Sequence, residues 1–352
     1  MADRVARLAD VARRAGVSVA TVSRHVNGHV HLPEGTVARI EDAIAELGYH
    51  PNPHARSLSR GRSDTIGLVI PDIANLYFAR LAAAVEREAA RHGFGLVLCA
   101  TLNTKERERE YLARLSRNGV DGIIFVTNHS DDGSLVESIN GASRQIVILD
   151  EDVSGAHGSK VLSDNRQGGY LAGRHLVEAG HRRIAFFGGP ESMHSTGDRL
   201  AGCRAALADL APEAALTHTF FGDYTAAHGR ACVEALITAA DDTTALVVSS
   251  DLMMIGVMEA LRDAGWRVPD RVSVIGFDDI APFHLFDPPL TSIRQPVDAM
   301  GQRAVDLLIR GVNGEAGEPV VEHLPVELIS RRSVSQPAGA SRATRTKTKI
   351  KA

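Results

Sequence analysis

Residues 8–28 read LADVARRAGVSVATVSRHVNG, and their spacing decides the first part of the fold. Leu8, Val11, Ala12 and Ala15 recur at i, i+3, i+4 and i+7, the stripe of a short amphipathic helix. Gly16 ends that helix, and Ser18 stands as the N-cap of a second one running from Val19 to Val26. Asn27 and Gly28 tolerate left-handed geometry and mark its stop. A third helix follows Pro33, with Val37, Ile40, Ile44 and Leu47 on one face and Gly48 at its end. Three short helices, the first two joined by a turn containing Gly, predict a helix-turn-helix DNA-binding domain over residues 1–52.

Working outward, Pro51-Asn52-Pro53 offers a cap and a first-turn proline for a brief helix over residues 53–60 that ends at Gly61. Its one large apolar side chain, Leu58, has too few apolar neighbours to make a core, so residues 53–62 read as a hinge helix and linker. Beyond Arg62 apolar runs alternate with helical stretches: TIGLVI (65–70), GLVLCA (95–100), GIIFV (122–126) and QIVILD (145–150). That alternation is the signature of βαβ units on a parallel sheet. A second series, RIAFFG, ALVVSS and VSVIGF, begins near Arg183. The fold class is therefore α/β, with two doubly wound parallel-sheet lobes and a cleft between them, over residues 63–335. The lobes are expected at about residues 63–162 with 292–319, and 163–291 with 320–335. Residues 336–352 carry Arg342, Arg345, Lys347, Lys349 and Lys351 without an acid and read as a disordered basic tail.

Composition narrows the function classes. The chain has 352 residues, 44% of them hydrophobic, enough for a sizeable core. Net charge is only -4, yet residues 1–62 hold nine basic against six acidic side chains. Cys99, Cys203 and Cys232 lie far apart and form no disulfide framework or Cys/His metal cluster, which suits a reducing cytoplasm. The first residues, MADRVARLAD, lack a signal-peptide core, and no apolar run is long enough to span a membrane, so export and insertion are not expected. No GxSxG elbow, GxxxxGK[ST] loop, GxGxxG fingerprint or HExxH motif is present, so neither catalysis nor a cofactor is expected. His181, His218 and His228 are read as solvated residues on helix or strand surfaces.

Taken in order, LADVARRAGVSVATVSRHVNG, AIAELGYHPNPHARSLSRGR, VDGIIF, DNRQGG, HLVEAGHRRIAFFGGP, RLAGCRAAL, SSDLMMIGVM, VIGFDDI and PPLTSIRQP resemble the lactose-repressor (LacI/GalR) family of bacterial regulators across the chain before its tail. The resemblance implies a cytoplasmic, nucleoid-associated homodimeric repressor that binds a palindromic DNA operator and is controlled by a small molecule. It places the helix after Ser18 in the major groove, with Val19, Ala20 and Arg24 at base-reading positions. Arg24 has the planar bidentate donors that guanine O6 and N7 accept. Ser18, Thr21, Ser23, Asn27 and His31 fall at positions used for the DNA backbone, and Ala55 and Leu58 at the minor-groove hinge. Arg7 departs from the Thr usual there, losing a helix cap.

For the sensor the resemblance implies effector contacts at Tyr77, Phe78, Asp150, Arg199, Tyr224, Ser250, Asp251, Asp278 and Gln295. An aromatic wall with fixed carboxylates and an arginine suits a polyhydroxylated sugar. A pentose or other small sugar leads, with a nucleobase or nucleoside as the alternative. Asp150, Asp251 and Asp279 could instead serve as helix N-caps, and Tyr77 and Phe78 as ordinary core. An enzyme and an exported solute-binding protein share the two-lobed architecture; the lack of catalytic motifs argues against the first, and the N-terminal helices, standing where an export signal would, against the second.

Overall fold

The computed structural model describes residues 6–26, 32–49, 62–117, 119–130, 133–315 and 317–337. The expected hinge helix and nearly all of the basic tail lie outside them, as do Asn27, His31, Ala55 and Leu58. The chain forms two compact units, one ending at Thr65 and including Gly119–Asp121, the other made of the remainder.

In the first unit α1 (Leu8–Ala15), α2 (Val19–Val26) and α3 (Glu34–Leu47) close around Val11, Ala12, Ala15, Val22, Ile40, Ala43 and Tyr49. Gly16, at φ 65°, makes the left-handed turn between α1 and α2. The cap lost at Arg7 is partly replaced: Asp10 Oδ2 accepts the Arg7 N–H at 3.0 Å, the return half of a capping box.

The second unit contains two six-stranded sheets. The first runs β11-β5-β4-β3-β1-β2, built from β1 (Thr65–Ile70), β2 (Gly95–Ala100), β3 (Gly122–Phe125), β4 (Gln145–Asp150), β5 (Ser159–Ser163) and β11 (Val321–Leu324). The second runs β12-β10-β9-β8-β6-β7, from β6 (Arg183–Phe187), β7 (Ala215–Phe220), β8 (Ala245–Val248), β9 (Ser273–Phe277), β10 (Thr291–Arg294) and β12 (Glu327–Ile329). The central pairings are parallel, and β12 alone among the second sheet's pairings runs antiparallel, against β10. Helices α4 (Leu76–Arg91), α5 (Lys105–Arg117), α6 (Ser134–Asn140) and α11 (Val297–Val312) belong to the first lobe. Helices α7 (Asn165–Glu178), α8 (His194–Leu210), α9 (Ala226–Ala239) and α10 (Asp251–Asp263) belong to the second. The two-residue period of a strand sends Phe186 and Phe187 to opposite faces of the second sheet, each into its own buried cluster. None of the described helices is long and apolar enough to cross a membrane.

The second and third crossovers between lobes fall later than the sequence reading put them. Residues 292–294 stay in the second sheet because β10 pairs with β9, and residues 321–324 return to the first because β11 pairs with β5. Pro296 and Pro325, which follow these strands closely, carry no N–H to extend a ladder.

One close approach positions the second lobe's chemistry. α7 and α8 pack backbone to backbone: a Cβ on Gly202 would lie 1.9 Å from the Arg166 carbonyl oxygen, and one on Gly169 1.9 Å from that of Arg199. Gly202→Ala is therefore expected to cost about 1–3 kcal/mol, since the helices must separate to admit a methyl group. Gly197→Ala on the same helix meets nothing within 4 Å and is expected to be neutral or slightly stabilising. Urea unfolding of the two variants side by side checks the contrast.

Candidate DNA-reading face and effector cleft

On α2 the residue pattern separates two faces. Val22 is buried against α1 and α3, while Val19, Ala20 and Arg24 are exposed, Val19 to 48%. Ser18 caps the helix: its Oγ accepts the Thr21 N–H at 3.1 Å and lies 2.8 Å from Thr21 Oγ1. Arg24 Nε donates to the Ala20 carbonyl at 3.3 Å, which lays the side chain along the exposed face. Thr21 and Ser23 flank that face, half-buried.

In the second unit the structure brings all nine sequence-selected sensor residues to the walls of one cleft. Asn75 caps α4 by accepting the Tyr77 N–H at 2.7 Å, and this sets Tyr77 and Phe78 edge to face, 5.3 Å apart. Both rings are 4% exposed and belong to the first lobe's core while also lining the cleft, so the two readings of them hold together. Asp150 ends β4 and Asp278 follows β9, at φ 79° and 76°. These left-handed conformations turn each chain sharply at the strand's carboxyl end, where Asp is among the few residues that tolerate them.

Hydrogen bonds tie the walls together. The Tyr77 hydroxyl donates to Asp150 Oδ1 and faces Gln295 Oε1 at 3.3 Å. Gln295 Nε2 donates to Asp278 Oδ1 at 2.6 Å, and Asp278 Oδ2 accepts the Asp251 N–H at 3.0 Å. Arg199, 5% exposed, donates from Nε to Asn165 Oδ1 at 2.8 Å and from Nη1 to the Ser249 carbonyl at 2.5 Å. Its guanidinium lies 4.5 Å from the Phe277 ring centroid, a cation–π contact that holds the plane. The Tyr224 hydroxyl lies 2.8 Å from Thr196 Oγ1 and 3.3 Å from Ser195 Oγ. Ser250 is the N-cap of α10, its Oγ accepting the Met253 N–H at 3.3 Å.

The cleft also gathers residues that the sequence reading did not select: Asn75, Asn128, Glu151, Met193 and Ser195. Asn75 and Glu151 had a local signal, standing two residues before Tyr77 and immediately after Asp150. Of the two readings open for Asp251, helix cap or cleft residue, the structure gives the cap to Ser250 and sets Asp251 at the first helical position, on the cleft wall. Asp279 faces away from the cleft, paired with Arg294 at 2.7 Å and Arg331 at 2.6 Å. His181 corrects the surface assignment: it is 1% exposed, held between Thr244 Oγ1 and the Ser335 carbonyl at 2.9 Å each. Burial lowers its pKa, so it is a neutral core residue.

Electrostatically the cleft is a ring of acids around one arginine. Burial pushes the Asp150 carboxyl up to about 7, against the opposing pull of the Tyr77 hydroxyl and Arg199. Glu151 is raised by burial, and Asp251 by burial and by Asp278 beside it. Burial drives the Tyr77 phenol well above its usual value, with the Asp150 charge adding to it. Burial works against the charge on Arg199, but Tyr224, Asp278 and Asp150 outweigh it and hold the group protonated.

A helix-turn-helix unit joined to a two-lobed α/β sensor with a polar cleft defines a ligand-responsive DNA-binding regulator. Comparison with known proteins agrees on both parts: residues 7–52 match the model for bacterial regulatory proteins of the lacI family, and residues 174–334 the periplasmic binding protein-like domain. The chain is 33% identical over 333 residues to the HTH-type transcriptional repressor PurR of Mannheimia succiniciproducens, covering 94% of this chain and 99% of that protein. It superposes on the lac repressor dimer bound to operator and the anti-inducer ONPF with a TM-score of 0.85, at 30% identity, over 94% of this chain and 100% of that one. A LacI family regulator from Enterococcus faecium with bound ribose gives a TM-score of 0.67 at 29% identity, over 77% of this chain and 99% of that one. The chain belongs to the lacI family of bacterial regulatory proteins and is a DNA-binding transcription regulator.

The acid ring makes the effector-free sensor sensitive to pH in a defined direction. A carboxyl whose pKa is raised on folding destabilises the folded state when ionised, and that cost is absent below its unfolded value of about 4 and complete above its folded value. For Asp150 the folded value is about 7, so stability is expected to fall as pH rises from 5 to 8. Asp150→Asn should flatten this dependence, as thermal unfolding midpoints across the range would show.

Proposed function

We propose that this regulator is a homodimeric repressor of a catabolic operon, binding a palindromic operator under the control of a small sugar, a pentose leading, held between the two lobes of the sensor. One observation carries the reading. Tyr77, Phe78 and Asp150 from the first lobe and Arg199, Tyr224 and Asp278 from the second line the same cleft. Carboxylates that accept paired hydroxyl donors, beside aromatic rings that cover an apolar face, are what a polyol requires. The ribose bound to the Enterococcus faecium regulator supports a ligand of that size and chemistry. The site sits at strand carboxyl ends, where open α/β sheets bind ligands.

Two recognition helices spaced by about one turn of DNA give the usual dimer geometry on a palindrome. Effector contacts on both lobes favour one lobe arrangement over another, and the first lobe follows the hinge segment directly in sequence. Coupling between effector and operator is then reciprocal, typically about 1–3 kcal/mol in each direction.

A thermal-shift screen of sugars and nucleobases tests the sensor. A sugar at a hundred times its Kd should raise stability by about 2.7 kcal/mol. A nucleobase as the sole hit would overturn the sugar reading. On the DNA side, Arg24→Ala is expected to cost about 1–3 kcal/mol on the specific operator and to blunt discrimination at one base pair per half-site. Equal losses on specific and random duplex, measured by fluorescence anisotropy, would show that Arg24 touches only phosphate.

A further inference from the structure

Four carboxylates, Asp150, Glu151, Asp251 and Asp278, line the cleft against the single guanidinium of Arg199. Three of them have internal partners that account for their placement. Asp278 spends both oxygens, on the Gln295 amide and the Asp251 N–H. Asp150 receives the Tyr77 hydroxyl, and Glu151 Oε1 accepts the Ser195 N–H at 3.3 Å. Asp251 is different. It is 2% exposed, and its Oδ1 accepts the Leu252 N–H at 2.6 Å and the Asn75 amide at 3.4 Å. Its Oδ2, also buried, has no hydrogen-bond partner among the described residues. A carboxylate oxygen removed from water and left unpaired costs free energy that a donor entering the cleft would recover.

Resting on the reading of this cleft as the effector site, we propose that Asp251 is an effector-binding residue whose Oδ2 takes a hydroxyl of the ligand, and that the carboxylate ring makes the site reject effectors bearing a phosphate or carboxylate. The match is one of role: an ionised carboxylate only accepts, and a sugar hydroxyl can donate. Asp251 opens α10, where the helix N-terminus favours its negative form and the Leu252 N–H orients it. An anionic group at the same place would add charge to a desolvated ring in which Arg199 is the one facing cation and is already bonded to Asn165 and Ser249. The charged and titratable groups around Asp251 are Asp278 behind β9, Arg199 on α8, Tyr77 on α4, Asp150 and Glu151 at the end of β4, and Tyr224 after β7.

A dependence on pH follows. Because burial and Asp278 hold the Asp251 carboxyl above its ordinary value, and burial does the same at Asp150, the empty cleft retains protons near neutrality. Hydroxyl donors bind the ionised forms and displace those protons. Affinity is therefore full above neutrality and weakens as pH falls, by up to about tenfold per pH unit for each proton displaced.

The test is calorimetric titration of the full-length protein with D-ribose, D-xylose and D-glucose, and with the phosphate ester and aldonic acid of each, at pH 6 and pH 8 in two buffers of different ionisation enthalpy. The expected result is that a neutral sugar binds with net proton release at pH 6, and that its acidic derivatives bind about a hundredfold more weakly or not at all. Asp251→Asn, verified as folded by circular dichroism, should weaken the neutral sugar about tenfold or more and reduce the proton release. Proton counting on the unsubstituted protein stands independently of how that variant folds. An acidic derivative binding as tightly as its parent, or sugar binding without proton release, would overturn this proposal and leave the sugar reading intact. Unchanged affinity and proton release in Asp251→Asn would remove Asp251 from the site. If none of the panel binds, the sugar reading itself falls, and this inference with it.

Discussion

The sensor is organised around the problem of keeping one buried guanidinium in place among acids. Arg199 sits on α8 with its charge withdrawn from water, and it remains there because Asn165, the Ser249 carbonyl and the Phe277 ring occupy three sides of it. A buried charge is tolerable only when paired and hydrogen-bonded. The partners come from separate parts of the second lobe: Asn165 begins α7, Ser249 follows β8 and Phe277 ends β9. Their convergence requires α7 and α8 to touch, which is why the contact is made of glycine on both helices. Arg199 opposes, without cancelling, the burial that raises Asp150 and Glu151 opposite it.

This arrangement explains which parts of the fold were legible beforehand. Most central strands are covered on both faces and consist of apolar runs such as GIIFV, visible without any structure, although β5 (SKVLS) and β10 (TSIR) are central and polar in part. Of the edge strands, β2 keeps such a run in GLVLCA, while β7, β11 and β12 lack it. β7, reading ALTHTF, is exposed at Ala215 and half-buried beyond it, β11 is exposed at alternate positions, and β12 is exposed at Glu327. Long-range strand pairing within each sheet, which no local pattern encodes, decides where the second and third crossovers fall.

The same distinction holds for side chains. Tyr77, Asp150, Arg199 and Asp278 are legible through motifs that resemble a known family; Asp150 and Asp278 stand at strand ends, Tyr77 and Arg199 on helices. Asp251 stands in the same kind of motif beside Ser250, but an acid at the start of a helix also has an adequate local explanation. Only the third dimension shows that its second oxygen is stripped of water. His181 failed in the opposite sense: next to two arginines it reads as solvated, and the fold closes the chain's later segment over it through Ser335.

The strand order also bears on how the molecule is made. Neither sensor lobe is a continuous stretch of polypeptide: the first takes its edge strand from Val321–Leu324 and the second from Glu327–Ile329. On a ribosome the DNA-binding helices emerge first and have all of their core within the first fifty residues. Neither half of the sensor can complete its sheet until almost the whole chain has been synthesised. A truncated product would thus carry a finished DNA-binding unit attached to an unfinished sensor, with hydrophobic strands still lacking neighbours, and would depend on chaperones or proteolysis for its removal.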